Sequence, residues 1–242
     1  MVKNNSGPKS LQESVSGTLA SSVYELLRDD IMSGNLRPGE KLRSEFLRDR
    51  YNVGNSPVRE ALNRLSSDGL VIREDQKGFR VSSVSKGDLM ELLKTRCWLE
   101  EIALRESIAH GEAAWEERLV LAFHRLSRVK RVTPGDTSKT TNPDWEQLHR
   151  DFHMCLISNC GSKILQSYCE QLNDQADRYR KLALVSSFPN RNELEEHRAI
   201  KEATIEGDSE EAVKLLCSHY QKTVEIILEA GTGIILEDSS TQ

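Results

Sequence analysis

The sequence predicts a mainly α-helical protein with two domains, one made of three helices and a β-hairpin and the other of helices only. Three observations predict it. The chain has 242 residues, enough for two ordinary domains that each bury a core. Strand-like runs occur only between residues 70 and 81, whereas apolar residues recur at helical spacing after residue 85. The two parts also differ in net charge. Residues 1–84 hold 13 Lys and Arg against 11 Asp and Glu, whereas the remainder holds 20 Lys and Arg against 27 Asp and Glu.

Composition excludes several classes of protein. Hydrophobic residues make up 37 % and charged residues 29 % of the chain, and no uninterrupted apolar run is long enough for a membrane span. The N-terminus has no apolar centre, so we expect no signal peptide, a disordered segment over residues 1–16, and a cytoplasmic protein. The five cysteines are scattered without CxxC spacing, which indicates reduced thiols rather than a disulfide framework.

Residues 17–84 are expected to form the first domain. Its first helix runs from Leu19 to Ser33, where apolar residues recur every three or four positions before Gly34. A turn at Pro38-Gly39 leads to a short second helix that Ser44 caps and that ends near Tyr51.

A longer third helix follows after a tight turn. We expect Ser56 and Pro57 to be its N-cap and first-turn proline, and Ser67 or Asp68 to end it. Two strands, Leu70–Glu74 and Gly78–Val81, then form a hairpin. This order is typical of a winged helix-turn-helix domain.

The third helix has an apolar and a polar face, which predicts a DNA-reading role. The polar face carries Asn55, Arg59 and Asn63, and Arg and Asn side chains match guanine and adenine edges in the major groove. The alternative is a solvated helix face, and such domains also occur outside DNA binding. The residues expected to contact DNA are Arg43, Ser44, Asn55, Ser56, Arg59, Asn63, Lys77 and Gly78.

These segments resemble the GntR family of transcriptional regulators. The resemblance is carried by Leu36–Leu42, Ser44-Glu45, Ser56–Leu62, Leu65, Gly69–Val71 and Gly78–Val81. It implies that Arg59 contacts a base or a phosphate and that Gly78 lies close to the DNA backbone. Many members have Ser-Arg where this chain has Gly54-Asn55, and that arginine commonly reads guanine, so we expect a different operator preference.

Residues 85–231 are expected to form the second domain, an all-α antiparallel bundle, and residues 232–242 a flexible tail. The expected helices cover residues 86–109, 113–132, 144–158, 162–186, 190–206 and 208–228. Asp144 is the expected cap of the third, after a loop over residues 133–143. In the first, the expected inward residues are Leu89, Leu92, Leu93, Leu99, Ile102 and Ala103.

Four histidines are candidate metal ligands. His149 and His153 lie four residues apart and therefore on one helix face, while His197 and His219 lie near the middles of two later helices. Helices that each direct an imidazole inward can form a metal site in a bundle core. The alternative is that they are ordinary core residues, because six histidines in the whole chain are no enrichment.

The second domain resembles the FCD effector domain of the FadR branch of the GntR family. The resemblance is carried by Phe152-His153, Cys160–Ser162, Glu196–Ile200 and His219, and the run Tyr168–Leu182 is most similar to the CsiR type. It implies a divalent metal held by three histidines and an Asp or Asn four residues before the first of them. His149 occupies that position here. Four nitrogen donors favour zinc or nickel, and the substitution leaves open that His149 is not a ligand.

Arg96 is the candidate effector-binding residue. It lies among apolar residues and would be costly to bury without an anionic partner. An ion pair with Glu100 is one alternative. The resemblance instead implies that a helix arginine faces the effector, so we expect a small organic acid to be held by Arg96 and the metal. The full set of expected effector residues is Arg96, Glu100, Arg178 and Tyr179.

We therefore expect a homodimeric repressor, not an enzyme, that binds double-stranded operator DNA and is controlled by a small carboxylate. Repression relieved by the effector is the expected direction. Two alternatives remain, a regulator that senses the metal itself and a metallohydrolase that uses the histidines with Glu146 or Glu196 as general base.

Overall fold

A computed structural model describes residues 18–132, 141–183 and 191–230. The predictions for residues 1–16, for most of the loop at 133–143 and for the tail at 232–242 fall outside these residues. Two compact units make up the chain, and the division falls after Ser83.

The first unit contains three helices and a small antiparallel sheet. Its elements are α1 (Leu19–Met32), β1 (Lys41–Leu42), α2 (Ser44–Tyr51), α3 (Asn55–Ser67), β2 (Val71–Glu74) and β3 (Gly78–Val81). The order in the sheet is β1-β3-β2, with Leu42 opposite Phe79 and Val71 opposite Val81. The predicted helices and hairpin are confirmed. The added strand β1 was not predicted, because two residues are too few to show a period.

Two predicted caps of these helices are wrong. Ser44 is the first residue of α2 and not its cap, because Arg43 holds the N-cap position without a side-chain cap bond. Asn52 ends α2 in the left-handed conformation, with φ of 51°. The chain then enters α3 at Asn55, so Ser56 lies inside the helix.

The core of the first unit lies between α1 and α3 and under the sheet. Val23, Leu27 and Ile31 from α1 and Leu62 and Leu65 from α3 have no exposed surface. Fully burying such a side chain stabilises a fold by about 1.5–3 kcal/mol. This packing fixes α3 by its apolar face and leaves the opposite face in solvent, as predicted.

The second unit is a bundle of helices in the residues that the structure describes. They are α4 (Lys86–Ala109), α5 (Ala113–Ser127), α6 (Pro143–Leu156), α7 (Lys163–Leu182), α8 (Glu193–Ile205) and α9 (Ser209–Glu229). Helix α4 packs against α7 and α9, α5 against α6 and α8, and α8 against α9. In neither unit is a described helix long and apolar enough to cross a membrane.

Three details of the predicted bundle are wrong. Helix α5 ends at Ser127 rather than near residue 132. Helix α6 is capped by Asn142, whose side chain accepts the N–H of Asp144 at 3.0 Å, and not by Asp144 itself. The reason is Pro143, which has no N–H to lose and suits the first helical position. Ile102 does not face inward, since 53 % of its surface is exposed.

Helix α4 has an unusual distribution of polarity. Its buried residues include Arg96, Glu100 and Ser107. Met90, Trp98 and Ile102, by contrast, are about half exposed. We call the last three the exposed α4 face. The buried polar residues place charge inside the bundle, next to the histidines.

Candidate functional site

The four histidines form one buried cluster. Helix α6 supplies His149 and His153, α8 supplies His197, and α9 supplies His219. All four are buried, and one nitrogen from each lies within 4.8 Å of the others. The spacing of four residues accounts for the pair on α6, whereas packing of α8 and α9 brings in the other two.

Every imidazole of this cluster is held neutral. Burial is the largest cause, and the neighbouring imidazoles and arginines add to it. These effects lower the pKa of His149, His153 and His219 well below the ordinary value and that of His197 to about 3. A metal binds only the neutral ring, so the cluster is in the state that ligation requires.

The nitrogen spacing also fits a metal. Nε2 of His153 lies 3.2 Å from Nε2 of His149 and 3.3 Å from Nε2 of His197. Ligands in a tetrahedron around zinc, each at about 2.0–2.1 Å, lie about 3.4 Å apart. Neutral imidazoles are donors that zinc and nickel accept well. The cluster can therefore hold such an ion.

Two of the histidines have hydrogen-bond partners that turn Nε2 toward the cluster centre. Nδ1 of His219 lies 2.9 Å from Oε2 of Glu196, whose carboxylate Arg191 also binds. Nδ1 of His153 lies 3.0 Å from the hydroxyl of Tyr220, which donates to Glu100 at 2.5 Å. Carboxylates that bind the outer nitrogen of a histidine are typical of metal sites.

His149 has a different partner. Its Nδ1 lies 3.3 Å from a guanidinium nitrogen of Arg180, and its ring stacks on Trp145 with centroids 4.6 Å apart. Arg180 in turn donates to Asp177 one turn earlier on α7. The outer nitrogen of His149 therefore faces a cation, whereas that of His219 faces an anion.

A cavity lies next to the cluster, between α4, α7 and α9. Most of its wall surface is apolar, and its charged lining consists of Arg96 and Arg180. Among the described residues, Asn173 Nδ2 and Arg180 Nε are buried without a hydrogen-bond partner, and both residues line the cavity. The wall therefore carries two guanidinium groups, each of which also binds a carboxylate of the protein, and two residues with an unpaired donor.

Arg96 lies in the cavity wall and also makes the internal ion pair considered above. Its Nε donates to Glu100 at 3.0 Å, and another guanidinium nitrogen donates to Asn173 at 3.2 Å. Its guanidinium lies 3.9 Å from the ring centroid of Tyr220. Burial opposes the charged form, but the charge and hydrogen bond of Glu100, together with Tyr220 and Asp177, outweigh it and raise the pKa of Arg96. Arg96 thus stays a cation.

The other expected effector residues do not line the cavity. Glu100 accepts hydrogen bonds from two of the lining residues, Arg96 and Tyr220. The hydroxyl of Tyr179 donates to the carbonyl of Ser85, and burial lowers the pKa of Arg178 to about 10.

The lining residues that the sequence did not single out include Asn173, Arg180 and Tyr220. The sequence spacing could have indicated two of them together. Asn173 and Arg180 are seven residues apart and therefore share one face of α7.

The expected DNA-contacting residues lie on the surface of the first unit. Asn55, Ser56, Arg59 and Asn63 are exposed on or beside the polar face of α3. Arg43 is exposed and Ser44 half-buried at the start of α2. Lys77 and Gly78 are exposed where the hairpin turns, and Gly78 has φ of +91°, a conformation that other residues rarely adopt.

Comparison with known proteins gives two family matches. Residues 19–81 match the profile of the gntR family of bacterial regulatory proteins, and residues 91–222 match that of the FCD domain. The chain is 38 % identical over 214 residues to the HTH-type transcriptional regulator BphR of Paraburkholderia xenovorans, covering 88 % of this chain and 87 % of that one. It is 33 % identical to the HTH-type transcriptional repressor GlaR of Escherichia coli, covering 87 % and 96 %.

A solved structure has the same fold. It is that of Escherichia coli McbR/YncC, with a TM-score of 0.68 at 21 % identity, covering 88 % of this chain and 99 % of that one. At this identity the likeness concerns the architecture alone.

Proposed function

Because the chain belongs to the gntR family of bacterial regulatory proteins and is a DNA-binding transcriptional regulator, we propose that it is a repressor whose operator affinity is set by a small carboxylate. The carboxylate would bind in the cavity beside a zinc or nickel ion held by the histidine cluster. The matched families and relatives are regulators and not enzymes, so the metallohydrolase alternative is wrong.

The guanidinium groups and unpaired donors of the residues that line the cavity carry the proposal. Arg96 and Arg180 are the charged residues of its wall, and Asn173 and Arg180, which both line it, each have a buried donor without a hydrogen-bond partner. A buried donor without a partner costs about 1–3 kcal/mol, which an anionic ligand with oxygen acceptors would recover. The apolar remainder of the wall suits the carbon skeleton of an organic acid.

The first unit would bind the operator through α3. Its polar face presents Asn55, Arg59 and Asn63 to solvent, and the buried apolar face holds the helix in place. Lys77 and Gly78 at the hairpin would reach the backbone or the minor groove, and Arg43, Ser44 and Ser56 the phosphates near the start of the helices.

We further propose a homodimer, which lets two such units read a pseudo-palindromic operator. The exposed α4 face offers Met90, Trp98 and Ile102, and the adjacent helix α7 offers Ile164 and Tyr168, which are 72 % and 56 % exposed. Large apolar side chains clustered on two packed helices are typical of a subunit interface. The expected location remains the cytoplasm, on the nucleoid when DNA is bound.

The test is thermal unfolding of the zinc-loaded protein with a panel of acetate, benzoate, succinate and glutarate, followed by DNA binding with each acid that binds. A ligand at 100 times its Kd stabilises the native state by about 2.7 kcal/mol, which raises the Tm by about 5–10 °C. The DNA probe is a duplex selected by the protein from a random pool. We expect at least one acid to raise the Tm and to weaken DNA binding.

The same experiment separates the metal-sensing alternative. DNA affinity that follows zinc and chelator concentration, with no response to any acid, would favour a sensor in which the metal is the effector. An Arg180→Met variant that keeps the response to an acid would contradict the assignment of the cavity.

A further inference from the structure

The partner of His149 determines which of its ring nitrogens carries the proton. Arg180 lies 3.3 Å from Nδ1 of His149, and a guanidinium group has donors and no acceptor. Nδ1 must therefore be the acceptor of that bond and carries no hydrogen. A neutral imidazole has one N–H, so in His149 it lies at Nε2.

His153 and His219 have the opposite arrangement. Glu196 can only accept, so Nδ1 of His219 is an N–H donor and Nε2 keeps its lone pair. Arg191 also lies 3.0 Å from that nitrogen, but it donates to Glu196 and to the carbonyl of His219.

For His153, the Tyr220 hydroxyl uses its hydrogen to donate to Glu100. Its oxygen therefore accepts a hydrogen bond from the N–H at Nδ1 of His153. Nε2 of His153 is therefore free to bind a metal.

The N–H at Nε2 of His149 points toward a ring nitrogen of His153. Its Nε2 lies 3.2 Å from Nε2 of His153, so the N–H of His149 donates to the lone pair that a metal would take. Once that lone pair binds a metal, the buried N–H needs another acceptor, because an unpaired buried donor is costly.

The cavity supplies the place for that acceptor. His149 and His219 line it, together with Arg96 and Arg180, whereas His153 and His197 are not among the lining residues. An acceptor that enters from the cavity would lie beside His149 and the guanidinium groups of Arg96 and Arg180.

Building on the proposed function, we propose that His153, His197 and His219 are the protein ligands of the metal, and that His149 is an N–H donor which, with Arg96 and Arg180, selects an anionic ligand for the metal's open position. Residue 149 is thus a specificity-determining residue. An Asp or Asn at this position would supply an oxygen to the metal, whereas His149 supplies a hydrogen-bond donor to the incoming ligand.

The ring protonation can be measured without any variant. In the full-length protein loaded with zinc, long-range ¹H–¹⁵N correlation spectra distinguish a protonated from a metal-bound ring nitrogen. We expect His149 to keep a protonated Nε2, while Nε2 of His153 and His219 is metal-bound. A metal-bound nitrogen in His149 would overturn the proposal.

Zinc affinity provides a matched comparison on one helix. Removal of a group outside the ligand shell lowers metal affinity by about 10–100-fold, so His149→Gln should stay within that range in a chelator competition. His153→Gln, one turn later, should lose zinc at chelator concentrations where His149→Gln is still loaded. Equal loss in two variants with native circular dichroism would contradict the proposal.

The open position has its own probe, azide added to the cobalt-substituted wild-type protein. A site with three protein ligands binds an external anion and changes the visible d–d absorption, whereas a closed four-histidine site does not. An unchanged spectrum would overturn the proposal, even if the glutamine variant failed to fold. If the ring protonation, affinity and azide results agree but no carboxylate alters Tm or DNA binding, the proposed function fails and the donor role of His149 stands.

Discussion

The hydroxyl of Tyr220 lies 3.0 Å from Nδ1 of His153 and donates a hydrogen bond to Glu100, so a tyrosine connects this carboxylate to the histidine cluster. Burial and the nearby Glu100 raise the pKa of Tyr220 well above its usual value, so the hydroxyl stays protonated. The same Glu100 binds Arg96 in the cavity wall. The cluster and the cavity therefore share one hydrogen-bonded chain.

Removing this hydroxyl should weaken metal binding. Tyr220→Phe keeps the ring beside Arg96 but leaves Nδ1 of His153 without its acceptor, and we expect zinc affinity to fall by about tenfold in a chelator competition. Tyr179→Phe is the matched control, because its hydroxyl bonds to the carbonyl of Ser85 instead. Equal affinities in the two variants would show that the contact does not orient His153.

Metal removal should destabilise the second domain. A metal that binds only the native state stabilises it by about 4 kcal/mol at 1,000 times Kd, so dialysis against a chelator should lower the Tm by about 8–16 °C. Differential scanning calorimetry before and after zinc is restored measures this. A transition that is the same with and without zinc would contradict a metal site in the cluster.

DNA binding should depend on Arg59. Arg59→Ala removes an exposed side chain from α3, so we expect specific duplex affinity to fall by at least tenfold while the unfolding temperature stays unchanged. Arg125→Ala, an exposed arginine on α5, makes the same change of charge in the other domain and should bind DNA normally. Fluorescence anisotropy measures both. If the two variants bound DNA equally well, α3 would not be the reading helix.

The exposed α4 face should control the oligomeric state. Trp98→Glu puts a charge where an apolar contact is expected, and we expect a monomer by light scattering at concentrations where the wild type is a dimer. Val120→Glu on α5 is the control, since Val120 is 48 % exposed and lies on a different helix. If the Trp98→Glu protein were still a dimer, the subunit interface would not lie on the exposed α4 face.

The stability of the first domain should fall at alkaline pH because of Tyr24. Burial and its hydrogen bond to Asp68 raise the pKa of Tyr24 to about 12, so the native state holds this proton more tightly than the unfolded state does. The stabilisation is complete below about pH 10, the ordinary tyrosine pKa, and is lost as the pH rises toward 12.

We expect Tyr24→Phe to lower the free energy of unfolding by about 1 kcal/mol at pH 8, and the gap to the wild type to close between pH 10 and 12. Urea unfolding followed by circular dichroism measures this. Fluorescence isolates the second domain, because Trp98, Trp115 and Trp145 all lie there. A gap that stays constant up to pH 12 would contradict the assignment.

Local patterns were enough to predict most elements and part of the site. The spacing of His149 and His153 gave a shared face, and the apolar stripe of α3 gave its inward side. The cap of α6 was misplaced because Asp144 and Asn142 are both good caps and only the position of Pro143 decides between them.

Long-range contacts were out of reach of such patterns. Arg180 meets His149 through the packing of α7 against α6, across 31 positions of sequence. Tyr220 meets His153 and Glu100 in a similar way through α9. Residue spacing on one helix cannot report which side chain of another helix will face it.

The exposed apolar residues of α4 make the stability of the fold depend on protein concentration. The buried face of α4 includes the charged residues Arg96 and Glu100 among apolar ones, and its exposed face includes the large apolar residues Met90, Trp98 and Ile102. With the proposed dimer in place, a second chain adds the burial of Met90, Trp98 and Ile102 to the burial that this helix has within its own chain. Its stability then rises with protein concentration, as mass action requires. Newly made chains at low copy number would be the ones most exposed to proteolysis and aggregation.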